Sequence, residues 1–415
     1  MEEPYYYGLD LSWDITQISR YNRRTGEPES VCISGSQQEL LMPAVLCRKK
    51  ATGEWLMGQD AIRMAARGNA DLMSGLLKRM KTGETAAFEE RSFTPEELME
   101  QYLRGILAFF RQCYGTTEIT RLAVTVPDEL LEMKAVFVKL FAGLGVEQEK
   151  LLFLSHSECL MYYCVNTPTE LWLNDIALFD CDEENFTYIQ LSSSRKKQPI
   201  AMLSDSRDFT KEYVEYAVRT QSPERKAYWF YELAMQQLQG RPVSTIYVTG
   251  TGFAGGWADD ALRKLCDGRR VFFGQNLYTK GACQAARMVS DGSAKEFLFL
   301  SGDMIRESIY LKLYHDSAEE YVELARAGMN YRSVFYQSRI ILDDTGEIEF
   351  LVADALKKEP LYEVMILEHP VRRKNKTIKL ELTLYYADRE TPVVQIRDLG
   401  FCGEESTCRI WEQLL

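Results

Sequence analysis

The sequence predicts a mixed α/β protein built from two related halves, followed by a β-rich, sandwich-like C-terminal domain. Three observations carry that prediction. Strand and helix patterns alternate from residue 5 to about 290. Two segments within that stretch each open with a hairpin closed by a tight turn. Beyond residue 296 the period-two alternation of strands dominates. The expected boundaries are 1–170 for the first half, 171–295 for a reduced second half and 296–415 for the β-rich domain. A chain of 415 residues has room for two or three domains at roughly 150 residues each.

The first half opens with strands over Tyr5–Leu11 and Ile15–Tyr21, joined by the turn Ser12-Trp13-Asp14. Val31–Ile33 and Ala44–Arg48 are candidates to extend that sheet. Thr94-Pro95-Glu96-Glu97 is a helix start, with Thr94 as N-cap, Pro95 in the first turn and Glu97 completing a capping box. Leu98, Tyr102, Ile106 and Phe109 then recur at helical spacing. Leu122, Val124 and Val126 alternate in a strand ended by Pro127, and a helix is expected over about Glu129–Ala142, stopped by Gly143-Leu144-Gly145. The second half repeats the plan. A strand over Ile176–Cys181, the turn Asp182-Glu183-Glu184 and a return strand over Asn185–Leu191 form its hairpin. Helices follow around Phe209–Arg219 and Glu224–Gln239. A strand over Thr245–Val248 runs into Gly250-Thr251-Gly252-Phe253, with a further helix around Trp257–Cys266. The two tight turns are placed to face a shared cleft.

In the last domain, strands are expected over Ile309–Tyr314, Val334–Leu342, Ile348–Val352, Tyr362–Leu367, Lys379–Tyr386 and Val393–Arg397, with a turn at Asp344-Thr345-Gly346. Phe297–Leu300 reads as an apolar connection into it.

Composition excludes several classes. Forty-nine basic against 61 acidic residues leave a net charge of −12, which argues against a chain that grips nucleic-acid backbones and against a basic membrane-surface protein. The N-terminus has no basic-then-apolar signal pattern, and no apolar run approaches 18 residues. The ten cysteines are scattered with no Cys-x-x-Cys pair, and there are three histidines. A zinc site is therefore not expected, and buried reduced thiols in a cytoplasmic protein are.

The order of these motifs resembles the ATPase domain of the heat-shock-70 chaperones, within the actin, hexokinase and heat-shock-70 superfamily. Tyr7-Gly8-Leu9-Asp10-Leu11 looks like the first phosphate hairpin, and Leu178-Phe179-Asp180 like the second. Ala123-Val124-Thr125-Val126-Pro127 is similar to the family's Val-Ile-Thr-Val-Pro strand, with the Lys134–Leu144 helix following it. Val248-Thr249-Gly250-Thr251-Gly252-Phe253 resembles the glycine turn that lies against the adenosine. Gly281-Ala282-Cys283-Gln284-Ala285-Ala286 resembles the closing small-residue helix. The similarity runs over about residues 5 to 290. It implies a two-lobed actin-like ATPase fold with duplicated ribonuclease-H-like halves, and a shortened counterpart of the family's substrate domain after it. It also implies a nucleotide site at Asp10, Ser12, Trp13, Asp14, Asp180, Asp182, Gly250, Thr251, Gly252 and Phe253, for ATP or ADP with magnesium, the metal lying beside Asp10 and Asp180.

The departures from the family pattern are chemical. A phosphate hairpin needs small turn residues so that backbone N–H groups reach the anion. Here Trp13 and Asp14 stand in the first turn and Asp182, Glu183 and Glu184 in the second. Two like charges about 4 Å apart repel by roughly 4 kcal/mol at an effective dielectric near 20, on the order of a thousandfold in affinity. The family's catalytic lysine aligns with Ile62, beside Arg63, and its catalytic glutamate falls near Ser155-His156-Ser157, with Glu158 two residues late. Several assignments stay open on the residues alone. Asp10 and Asp180 are magnesium-side carboxylates or strand-end caps. Asp182–Glu184 is a cation site or a solvated turn. Gly250-Thr251-Gly252 is a nucleoside contact or a sharp strand exit. His156 with Cys159 and Glu158 is a nucleophile pair or one side of a buried helix, and Arg195-Lys196-Lys197 is a solvated loop or a ligand contact.

The expectation is a non-catalytic or weakly nucleotide-binding heat-shock-70-like protein that binds a protein or peptide partner or acts as a scaffold. The alternatives are a divergent ATP-dependent chaperone, with Asp10, Asp14, Asp180 and Asp182 holding magnesium and Arg63 replacing the lysine, and a sugar-kinase-type phosphotransferase.

Overall fold

Two hairpins organise two sheets with the same strand order. The computed structural model describes residues 5–31, 41–88, 91–114, 118–219, 222–274, 276–315, 318–342, 346–368, 378–400, 406–407 and 409–415. The chain is mixed α/β. It divides into one compact unit of residues 1–192 and 204–295, and a second of residues 193–203 and 296–415.

In the first unit, β1 (Tyr6–Leu11) and β2 (Ile15–Asn22) form the expected antiparallel hairpin, and β3 (Glu27–Ser30) continues it. On its other edge β1 runs parallel to β10 (Arg121–Val126), and β10 parallel to β11 (Leu151–Ser155). Parallel neighbours need a crossover. The one before β10 ends in α3 (Pro95–Tyr114), whose start is the expected capping box: Glu97 N–H donates to Thr94 Oγ1 at 3.2 Å and Thr94 N–H to Glu97 Oε2 at 2.9 Å. Leu98, Tyr102, Ile106 and Phe110 of α3 are buried in the sheet's core.

Two expectations are corrected here, and one strand is added. Met42–Pro43 (β4) pairs with β2, but Leu46–Lys49 (β5) does not extend the main sheet. It builds a separate small sheet with β6 (Trp55–Met57) and β7 (Ala70–Met73), flanked by α1 (Gly58–Ala66) and α2 (Leu76–Thr82), while β8 (Ala86–Phe88) pairs with β9 (Arg91–Phe93). The helix expected from Glu129 begins as a 3₁₀ segment over Asp128–Met133 and becomes α4 only over Lys134–Gly143. The strand β11 has no alternation to reveal it, because Leu151-Leu152-Phe153-Leu154 is a continuous apolar run, here at the edge of the sheet. The candidate strand at Val31–Ile33 lies beyond Val31 outside the described residues.

The second sheet starts with β12 (Asp175–Cys181) and β13 (Phe186–Ser194), again an antiparallel hairpin, with β15 (Val243–Thr249) parallel to β12 and β16 (Arg270–Phe273) parallel to β15. Its order, β16-β15-β12-β13-β14, with β14 at Ile200–Asp208, repeats β11-β10-β1-β2-β3. Its core is aromatic, with Phe179, Phe186, Tyr188, Tyr213, Phe230 and Phe253 buried together. The helices are α6 (Thr210–Tyr213), α7 (Pro223–Leu238) and α8 (Asp259–Leu265).

Two helices fix the hairpins: α5 (His156–Val165) follows β11, and α9 (Leu277–Asp291) crosses both α5 and β1. The approach is at backbone distance. A Cβ on Gly281 would lie 2.0 Å from the Cys159 carbonyl oxygen, and one on Gly8 would lie 2.1 Å from that of Thr279. The small residues of α9 are therefore a packing requirement. Gly281→Ala is expected to lower the stability of this unit by about 1–3 kcal/mol, the cost typical of overpacking. A urea melt that leaves Gly281→Ala at the wild-type midpoint would show that the helices can separate freely.

In the second unit, two four-stranded sheets share one apolar core. One has the order β19 (Ala318–Ala325), β18 (Glu307–His315), β21 (Glu347–Asp354), β22 (Leu361–Ile366). The other runs β20 (Phe335–Leu342), β23 (Ile378–Asp388), β24 (Thr391–Asp398), β25 (Ile410–Leu414). Each of the six strands expected here is present. Phe297–Leu300 is not a connection but a strand, β17, parallel to Ile200–Leu203. The expected turn at Asp344-Thr345 lies outside the described residues.

Candidate functional site

The two hairpin turns of the first unit lie together. The first closes with Ser12 N–H donating to the Ile15 carbonyl at 3.0 Å, and the second with Asp182 N–H donating to that of Asn185 at 2.9 Å. They touch where Glu183 N–H donates to Asp14 Oδ2 at 3.3 Å. The glycine turn after β15 sits on the second hairpin. Gly250 has φ +97°, open to glycine without strain, and a Cβ there would lie 2.2 Å from the Cys181 carbonyl oxygen; one on Gly252 would lie 2.4 Å from that of Asp182. The Gly252 carbonyl accepts from Lys226 Nζ at 3.1 Å and Trp257 Nε1 at 2.8 Å, and Trp257 stacks on Phe253. So Gly250-Thr251-Gly252 is a packed strand exit, and Gly250 and Thr251 also line a cavity.

Between the hairpin ends runs a buried polar chain. Asp10, 1% exposed at the end of β1, accepts from Ser12 Oγ at 3.1 Å on both carboxylate oxygens. Its Oδ1 lies 2.9 Å from His156 Nε2. The imidazole stacks on Tyr278, with ring centroids 3.8 Å apart and planes 10° apart, and Tyr278 Oη donates to Asp180 Oδ2 at 2.7 Å. His156 is aimed by the helix that carries it. Ser155 caps α5 in a full capping box with Glu158, and Asp128 accepts from the Ser157 N–H at 2.9 Å and from the Ser157 hydroxyl.

The electrostatics follow from this geometry. Burial by itself pushes the His156 imidazole down, but Asp10, through charge and hydrogen bond, and then Asp180 and Asp128 outweigh it, and the net shift is upward. Burial raises Asp180, against the lowering effect of His156 and Tyr278. Asp182 is raised well above the carboxylate range, by burial first and then by Asp180 and Asp14, with a Thr251 backbone hydrogen bond opposing. Asp14 is raised by burial. Glu158 is pushed up to about 7, mainly by burial, with the Ser155 N–H opposing.

Two cavities flank Tyr278. The larger, about 260 Å³, is lined by Asp10, Ser12, Asp180, Asp182, Gly250, Thr251 and Phe253 among others. The smaller, about 110 Å³, is lined by Trp13, Asp128, His156, Asp180, Asp182 and Tyr278 among others. Of the residues expected at a nucleotide site, Asp14 and Gly252 line neither and act through the contacts above. The acidic turn is not uniformly solvated, since Asp182 is buried while Glu183 and Glu184 are exposed, Glu184 pairing with Lys78 at 3.3 Å. Arg63, the candidate lysine substitute, is exposed on α1 beside Asp60 and lines neither cavity. Cys159 is fully buried with its thiol held well above its ordinary value by burial, which removes it as a nucleophile partner for His156.

The fit to magnesium and a triphosphate is poor on this donor set. The larger cavity has three carboxylates in its lining and no Lys, Arg or His. Among the described residues no group of three or more His, Cys, Asp or Glu is arranged to hold a metal ion. Asp10 and Asp180, the pair the resemblance assigns to magnesium, are instead engaged by His156 and by Tyr278. The sequence marks His156 only as a candidate partner of Cys159, and it does not mark Tyr278 or Asp128. The capping box Ser155-His156-Ser157-Glu158 was a legible signal for the first, while nothing local marked Tyr278.

Residues 27–302 match a family described as "Family of unknown function (DUF5716) C-terminal", and the chain belongs to that family. Residues 304–415 match a domain of unknown function, DUF8552. Neither description names an ATPase or a chaperone. No curated protein matches the chain. Among the described residues no helix is long and apolar enough to cross a membrane.

Proposed function

We propose that the first unit is a two-lobed, actin-like fold whose nucleotide site has been converted into a structural junction. The protein would then be a non-catalytic heat-shock-70-like binder or scaffold for a protein or peptide partner. The repeated strand order, with a hairpin at the centre of each sheet and the two turns in contact, supports the fold. One observation carries the loss of chemistry. His156, at the position where the family aligns its catalytic glutamate, is bonded to Asp10 and stacked on the tyrosine that bonds Asp180. An imidazolium there supplies the positive charge that a phosphoryl-transfer site takes from its metal, and it stands where the resemblance would put the catalytic glutamate. The unit then keeps the rigidity of a closed two-lobed fold without needing nucleotide.

Titrating the whole chain with ATP and magnesium by calorimetry tests this. No heat of binding in the submicromolar range and no phosphate release are expected. Submicromolar binding with turnover would overturn the proposal.

A further inference from the structure

We propose that the free edge of β22, in the second unit, receives an extended peptide as an added strand, one with apolar residues at alternate positions and an arginine or lysine between them. It deepens the reading above, and rests on it, by naming the surface that takes the partner.

β22 ends its sheet, with β21 as its one partner strand among the described residues. The pairing fixes which backbone groups are free. Leu367 N–H donates to the Gly346 carbonyl at 2.9 Å, and hydrogen-bonded pairs alternate with non-bonded pairs along an antiparallel ladder. Ile366, Val364 and Tyr362, opposite Glu347, Glu349 and Leu351, therefore fall in the non-bonded pairs. Their N–H and C=O groups point away from β21, which is the template that strand addition uses. Their side chains stand on the outer face, Tyr362 60%, Val364 44% and Ile366 65% exposed, so an incoming strand meets apolar cross-strand neighbours. The opposite edge of this sheet, β19, carries Glu319, Glu320 and Glu323, charges of the kind that keep other strands away. β22 has a single charged residue, Glu363.

Glu363 selects the occupant. It lies on the core side of the strand, opposite Phe350 of β21 and between Tyr362 and Val364 in the chain. It is half-buried and makes no ion pair or side-chain hydrogen bond among the described residues. A strand laid over the edge takes this carboxylate further out of water, which is costly unless a counter-charge arrives with it. The residue directly across from Glu363 on the new strand can supply that charge, and the residues on either side of it lie against Val364 and Tyr362. The occupant is thus apolar, basic, apolar in sequence. A second copy of β22 does not meet the need, because no register of Leu361–Ile366 on itself brings a cation to Glu363.

The probe is the capped peptide Val-Thr-Val-Arg-Val-Thr-Val with a terminal fluorophore, titrated with the full chain by anisotropy beside the same peptide carrying Glu in place of Arg. So short an interface belongs to the small, weak class. The Arg peptide is expected to bind about tenfold more tightly than the Glu peptide, the effect of one desolvated charge pair. Glu363→Lys should invert that preference. Val364→Pro removes an N–H that faces outward and not toward β21, a place where edge strands tolerate proline, and should weaken the Arg peptide by about tenfold or more. Circular dichroism and the urea midpoint of each variant check that the fold is kept. If one variant misfolds, the other decides together with the two peptides on the wild-type chain. No binding of the Arg peptide, equal binding of the two peptides, or affinities unchanged in the variants overturns the proposal. So does self-association of the wild-type chain in sedimentation velocity that Val364→Pro abolishes, which would make a second copy the occupant. A silent peptide titration beside a silent ATP titration fells this inference alone, whereas tight ATP binding with turnover fells the reading beneath it.

Discussion

His156→Ala is expected to destabilise the first unit by about 3–5 kcal/mol, the cost of removing one partner of a buried ion pair and stranding the other. Asp10 is 1% exposed, and without the imidazole its remaining side-chain donor is the Ser12 hydroxyl. The loss also removes the stacking face of Tyr278, the ring that holds Asp180. Urea denaturation followed by tryptophan fluorescence suits the measurement, because Trp13, Trp55, Trp172, Trp229 and Trp257 belong to this unit and only Trp411 to the other. A double-mutant cycle separates charge from packing. If the damage is an uncompensated carboxylate, Asp10→Asn in the His156→Ala background should restore a large part of the loss, with a coupling energy above about 1 kcal/mol. Additive effects, or a loss below about 1 kcal/mol, would mean that Asp10 is comfortable without the imidazole, and the case for a built-in cation would fail.

The architecture was legible in the sequence where the signal was local. The hairpins at Ser12–Asp14 and Asp182–Glu184 are announced by turn residues between alternating strands, and α3 by its capping box. The strands of the last domain show because one face of each meets water, so apolar and polar residues alternate. Where a strand is a continuous apolar run there is no alternation to read, as in β11 and in β17, whose Phe297–Leu300 reads in the sequence as an apolar connection. The candidate site was half legible for a similar reason. Residues at hairpin ends are marked by sequence, but the partners that determine their chemistry come from elsewhere in the chain. His156 is 146 residues from Asp10, and Tyr278 is 98 from Asp180. Asp182 and Glu184 read as equivalent acids, yet burial separates them, because the glycine turn after β15 packs onto the first and leaves the second in solvent. Charge counting therefore located the acidic turns but could not say which carboxylate lacks a counter-charge.

Stability of the first unit should fall as pH rises from about 5 to 8. A group whose folded pKa lies above its unfolded value contributes fully below the unfolded value, and that contribution is lost as pH rises through the folded one. Glu158 is raised by burial from 4.5 to about 7, so its contribution, roughly 3 kcal/mol, disappears across that interval. Asp14, Asp180 and Asp182 are raised from 3.8, chiefly by burial, and act in the same direction from a lower starting point. His156 adds the upper limb. Although burial opposes it, Asp10 and the neighbouring aspartates lift it above 6.5, so its ion pair with Asp10 persists through pH 6.5 and is lost at higher pH. The groups of this unit that oppose the trend, Glu97, Glu224 and Asp291, are lowered but lie partly or largely in solvent, and pairs at such sites contribute little. Their effect is confined to the acid side, below about pH 4. The urea midpoint by tryptophan fluorescence should thus be highest near pH 5 and decline toward pH 8. Glu158→Gln carries no titrating proton and should flatten the decline between 4.5 and 7 while leaving the limb above 6.5 in place. His156→Gln should do the reverse. A midpoint that climbs steadily from pH 5 to 8 would mean these carboxyls are ionised in the fold without cost, and the buried chain from Asp10 to Asp180 would then have to be solvated.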